Sequence, residues 1–173
     1  MNISNLIKSA FAVLIFTIIY SCNTMESDHY TPEREAAIIS DYIKSLVAGG
    51  HDVDTTQTGM FYVIRKEGEG EYAQAGDSIG MIYEGFFPES GYVFDSSDFW
   101  YENGVWKFIY LSNELIAGFD EAISYLNKGA EGTFLIPSDL AYGSTGNFNR
   151  TIPPYSPLVF NIKLVDIYDQ NDN

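Results

Sequence analysis

The chain is 173 residues long and carries 24 acidic against 9 basic side chains, a formal net charge of −15. Such a surface repels phosphate backbones and anionic lipid headgroups, which excludes nucleic acid as a partner. The single cysteine, Cys22, excludes an intrachain disulfide and a cysteine-based metal cluster, and the two histidines, His29 and His51, lie outside every motif described below. No metal site and no cofactor motif are expected, and the length suits one domain with a sizeable core plus appendages.

Residues 1–21 read as an export signal. Lys8 supplies a positive start, and Ala10 to Tyr20 is an uncharged apolar run, shorter than the ~20 residues that a bilayer span needs. The run ends Ile19-Tyr20-Ser21-Cys22, which resembles a bacterial lipoprotein cleavage site. Tyr20 stands where such signals usually have a smaller residue. Lipidation of Cys22 is favoured because the only cysteine sits where the apolar run stops; the alternative is an uncleaved N-terminal membrane anchor. Residues 22–57 are then a tether followed by a helix, and residues 58–169 the folded domain.

The tether NTMESDHY (23–30) is polar and acidic. Thr31-Pro32-Glu33 carries a helix start: an N-cap hydroxyl, proline at the first helical position and acids in the first turn. Ala36, Ile39, Tyr42, Ile43, Leu46 and Val47 recur at helical spacing until Gly49-Gly50. This apolar stripe is short for a dimerising helix, so a helix that packs on its own domain or merely leads into it is expected.

From Gly59 the pattern changes to strands, expected over Met60–Lys66, Ser78–Phe86, 92–97 and 105–111, with Asn103-Gly104 a turn between the last two. Gly68 and Gly70 are flanked by Glu67, Glu69 and Glu71 without a following helix start, so they mark a turn and not a phosphate cradle. Asn113–Leu126 has the period of a short helix, closed by Lys128-Gly129. Gly132–Ile136 and Leu158–Ile167 are further strands. Between them Ile152-Pro153-Pro154 fixes a rigid, extended entry into the last strand. Strands, one internal helix and more strands define an α+β fold, a curved antiparallel sheet around the helix.

Three blocks occur in order: VFDSS (93–97), ELIAGFDEAI (114–123) and LAYGSTGNFNRTIPPYSPLVFNIKLVDI (140–167). Together they resemble the FKBP family of peptidyl-prolyl isomerases over roughly residues 58–168. The resemblance implies an apolar pocket lined by Tyr83, Phe94, Trp106 and Phe160, with Phe119 as its floor. It places Leu115 and Ile116 ahead of the pocket helix, where the Ile116 N–H donates to a substrate carbonyl. Asp95 sits beside the reacting amide, Tyr142 donates its hydroxyl near the mouth, and Ile152 closes the rim. Proline-containing polypeptide segments are the implied partners, with macrolide inhibitors as further ligands.

An X–Pro amide isomerises over a barrier of about 18–20 kcal/mol that arises from C–N double-bond character. Twisting the bond reduces charge separation, so an apolar pocket favours the twisted amide and needs neither nucleophile nor metal. Three departures from the family pattern stand out. Phe119 replaces the usual floor tryptophan. The first basic residue after Asp95 is Lys107, whereas relatives often hold the aspartate with an arginine, so Asp95 is expected to lean on Tyr83. The loop from Gly146 to Ile152 is one residue longer and carries Phe148 and Arg150. Phe119 and Phe148 imply tolerance of large apolar residues before proline, and the acidic surface makes glutamate there the poorest. The sequence thus reads as an envelope-anchored prolyl isomerase that assists folding of exported proteins. The alternative is a catalytically slow docking module for proline-containing segments of an envelope complex.

Overall fold

The computed structural model describes residues 31–112 and 115–168. Cys22 and the expected signal at 1–21 lie outside them. Helix α1, Pro32–Ala48, begins as its sequence signals dictate: the Thr31 hydroxyl accepts from the Arg34 N–H at 3.2 Å, and Gly49 caps the other end. Seven strands follow: β1 Asp54–Thr55, β2 Phe61–Lys66, β3 Ser78–Phe86, β4 Val93–Ser96, β5 Trp106–Ile109, β6 Glu131–Ile136 and β7 Leu158–Tyr168. Helix α2, Ala117–Ser124, lies between β5 and β6. It starts four residues later than its apolar period suggested, because Ile116 is extended (φ −64°, ψ 141°) and serves as the N-cap.

All pairings are antiparallel, and the sheet runs β1-β2-β6-β7-β3-β4, with β5 also paired to β3. Strand β1 falls in the segment expected to be tether and helix; its two residues are too few to carry an alternation. Along β3, Ile79, Met81 and Tyr83 are buried at period two. They face the main core with Phe160, Ile162 and Leu164 of β7, Phe134 and Ile136 of β6, and Phe119, Ala122 and Ile123 of α2. Gly118 allows α2 to sit close on β6, since a Cβ there would lie 2.3 Å from Ile136 Cγ2.

The sheet is buried on its other face too. Phe61, Leu135, Val159 and Phe86 form one cross-strand row, of which Leu135 and Val159 are wholly buried. Helix α1 lies against this side, with Tyr42 meeting the Phe86 ring edge-on at 6.5 Å. Ile38 and Leu46 are the buried apolar positions of the helix. Glu35 is buried with them, accepting from the Ser138 backbone N–H at 2.5 Å and from its hydroxyl at 2.7 Å. A carboxylate out of water requires such donors. Helix α1 therefore packs on the domain as an integral part of it. Among the described residues no helix is long and apolar enough to cross a membrane.

Candidate active site

Between α2, the β3–β4–β5 side of the sheet and the loop after β6 lies a cleft of about 460 Å³. Tyr83, Phe94, Asp95, Trp106, Leu115, Ile116, Phe119, Tyr142 and Phe160 line it, together with Ala117 and Ala141. Ile152, expected at the rim, is 3% exposed and belongs to the core cluster; it is not among the lining residues. Its loop is closed by Asn147, whose N–H donates to the Ile152 C=O and whose side-chain Oδ1 accepts from the Ile152 N–H, each at 3.0 Å.

A bulge explains how two consecutive strand residues both reach the cleft. Side chains alternate across a regular strand, so Phe94 and Asp95 would point to opposite faces. Here Phe86 pairs with Val93 and Gly85 pairs with Asp95, leaving Phe94 as the extra residue. A bulge of this kind re-aims side chains. Gly85 makes the second accommodation: a Cβ there would lie 2.6 Å from the Phe160 ring and 2.8 Å from the Phe94 ring. Any larger residue would push those rings into the cleft.

The walls are interlocked aromatics. Phe119 meets Tyr83 edge-on at 5.6 Å and Phe160 at 5.0 Å, and Phe94 meets Phe160 at 5.7 Å with planes at 87°. Trp106 is 5.7 Å from Tyr83 and stacks on Phe108 at 4.1 Å. Edge-to-face pairs of this kind are favourable beyond the area they bury. Phe119 meets three of the other lining rings, Tyr83, Trp106 and Phe160.

Polar groups converge at one side. The Tyr83 hydroxyl donates to Asp95 Oδ2 at 3.0 Å, as the absence of a nearby arginine in the sequence led us to expect. The Ser96 N–H donates to Asp95 Oδ1 at 2.9 Å. A third donor was not anticipated: the indole N–H of Trp100, also 2.9 Å from Oδ1. The sequence signal was its position five residues after Asp95, in the aromatic run following the short 3₁₀ turn Ser97–Phe99. Burial, the Asp95 charge and its hydrogen bond raise the Tyr83 pKa, and burial followed by the Asp95 charge raises that of Tyr142. Both phenols therefore stay protonated at neutral pH and remain donors. The Ile116 N–H precedes the first turn of α2, so no helical carbonyl can take it.

Among the described residues, no group of three or more His, Cys, Asp or Glu is placed to hold a metal ion. A smaller groove of about 320 Å³ between α1 and residues 87–90 is lined on both sides by the Arg34–Glu89 ion pair and lacks an aromatic box.

A curved antiparallel sheet packed over one short helix, with an aromatic-lined cleft beside it, defines an α+β protein. Residues 69–165 match the family described as FKBP-type peptidyl-prolyl cis-trans isomerase, and the chain belongs to that family. It is 33% identical over 115 residues to the Escherichia coli FKBP-type isomerase FkpA, covering 66% of this chain and 40% of that one. To the macrophage infectivity potentiator of Trypanosoma cruzi it is 32% identical over 164 residues, 91% of this chain and 80% of that one. The crystal structure of FkpA from Escherichia coli superposes with a TM-score of 0.63 at 24% identity, covering 96% of this chain and 82% of that one. The chain spans about half the length of several curated relatives, 55% of one from Haemophilus influenzae and 40% of FkpA.

Proposed function

We propose that this protein is a peptidyl-prolyl cis-trans isomerase that binds X–Pro segments in the Tyr83–Phe94–Trp106–Phe119–Phe160 box. The observation that carries the reading is the meeting in one cleft of the aromatic set with Ile116 and Tyr142, whose N–H and hydroxyl supply the donors that the reading needs. A proline ring fills the box and excludes water from its amide. The planar amide is the more polar form, so this environment disfavours it relative to the twisted transition state. Donors that hold the flanking carbonyls prevent the segment from rotating as a whole while the bond turns. Each 1.36 kcal/mol of such differential stabilisation gives tenfold in rate.

The broader role follows from the N-terminal sequence. The apolar run ending at Cys22 supports export and a lipid anchor, which puts the domain at a bacterial cell envelope, on exported clients. Macrolides that mimic the X–Pro unit would compete for the same box. A protease-coupled isomerisation assay on short X–Pro peptides tests the reading. Acceleration abolished by filling the cleft supports it. A rate equal to the uncatalysed one, with peptide binding retained, would make the protein a docking module.

A further inference from the structure

Among the described residues that line the cleft, only Asp95 carries a formal charge. Its donors are a phenol, an indole and a backbone amide, all neutral. They fix the carboxylate without cancelling its charge. Ionised carboxylate oxygens offer about four acceptor positions, and among the described residues Oδ2 receives only the Tyr83 hydroxyl. The basic residues closest in sequence to the lining are engaged: Lys107 sets its Nζ over the Tyr168 ring at 4.2 Å, and Lys163 pairs with Glu131 at 3.1 Å. Arg150 is exposed on the loop before Ile152. Trp100 adds a second feature: with its N–H committed to Asp95, it remains 71% exposed. An indole face beside a carboxylate suits a cation twice over, through charge and through the ring quadrupole.

We propose that Asp95, held by Trp100 and Tyr83, makes the cleft selective for segments that carry a lysine or arginine next to the proline. The inference rests on the isomerase reading and names the substrate class of that site. Trp100, outside the lining set, is a positioning residue: it acts through the hydrogen bond that fixes Asp95.

The test compares kcat/KM on Lys-Pro, Gln-Pro and Glu-Pro peptides at low ionic strength and in 1 M salt. A charge pair several ångströms apart at a partly solvated site gives on the order of tenfold between Lys-Pro and Glu-Pro. High salt shrinks the ratio. Trp100→Arg replaces the neutral donor with a charged one and is expected to bring the ratio close to one. Glu71→Gln changes net charge by the same amount at an exposed position away from the cleft and should leave it unchanged. Trp100→Phe keeps the Asp95 charge and loses the hydrogen bond, so it retains a ratio above one with a lower kcat/KM for all three. If Trp100→Arg fails to fold, Asp95→Asn provides the same reading of the ratio. Equal turnover of Lys-Pro and Glu-Pro by the wild type overturns the proposal, as does a ratio unaffected by both variants or one lowered equally by Glu71→Gln. If no peptide is turned over, the isomerase reading fails separately. The charge preference is then decided by peptide affinities, read from the fluorescence of Trp100 and Trp106.

Discussion

Glu35 in α1 and Ser138 at the end of β6 are 103 residues apart in sequence and joined by two hydrogen bonds, backbone N–H to Oε1 and hydroxyl to Oε2. Ser138 opens the segment that continues through Ala141 and Tyr142 into the cleft, so the N-terminal helix braces one wall of the candidate site from behind. Glu35→Ala leaves the buried Ser138 N–H without its acceptor and is expected to cost about 1.5–3 kcal/mol, measured by urea unfolding. Glu35→Gln keeps one acceptor oxygen and should cost less. A variant lacking residues 31–48 should be weaker still and should raise KM for peptides more than it lowers kcat.

The cleft separates apolar from polar contributions. Phe119→Ala removes the base that Tyr83 and Phe160 pack against and, as for buried Phe→Ala changes generally, forfeits about 3–5 kcal/mol shared between fold and binding. Tyr142→Phe deletes one neutral donor and should lower kcat/KM at most about tenfold. Near-UV circular dichroism establishes that both variants are folded before the isomerisation assay is read. Unimpaired turnover in a folded Phe119→Ala variant would mean that the proline ring binds elsewhere.

Asp120, one residue beyond Phe119, has a buried carboxylate oxygen, Oδ1, without a hydrogen-bond partner among the described residues, and burial raises its pKa. The folded state therefore holds its proton to higher pH than the unfolded chain does. Over that window the native state binds more protons, so stability falls as pH rises through it, and the unfavourable contribution is complete at neutral pH. Asp120→Asn is expected to raise Tm at pH 7, with the advantage over wild type shrinking as the pH is lowered towards the ordinary carboxylate range. Scanning calorimetry at several pH values measures this. A destabilised Asp120→Asn at pH 7 would show that the carboxylate is favoured by its place in the first turn of α2.

The lipid anchor is tested directly at Cys22. Cys22→Ser should leave the precursor unprocessed or release the protein from the membrane fraction. A single acyl chain binds marginally, whereas several anchor stably, so a processed wild type should stay with membranes through a salt wash. Mass spectrometry of the N-terminal peptide identifies the thioether. Membrane fractionation of Cys22→Ser at mature size would count against lipidation.

What the sequence determined by itself is the order of the longer elements, the two-residue β1 excepted. Strand β3 has the expected limits, Ser78 to Phe86, because period-two burial and flanking turns are local signals. The start of α1 at Pro32 is equally local, since the Thr31 cap bonds only three residues ahead. The ordered blocks around Phe94, Phe119 and Phe160 also announced the family before any coordinates did. What only the tertiary structure decided depends on contacts between distant residues or on a one-residue irregularity. The bulge that turns Phe94 and Asp95 to one side is such an irregularity, visible only in the pairing with Gly85 and Phe86. The Trp100–Asp95 bond depends on how the chain folds back after Ser96. Ile152 is buried in a loop that closes through Asn147, and Glu35 is buried because Ser138 arrives from the far end of β6. Periodicity records which residues prefer to leave water; which donor meets which acceptor is settled only when the whole chain has packed.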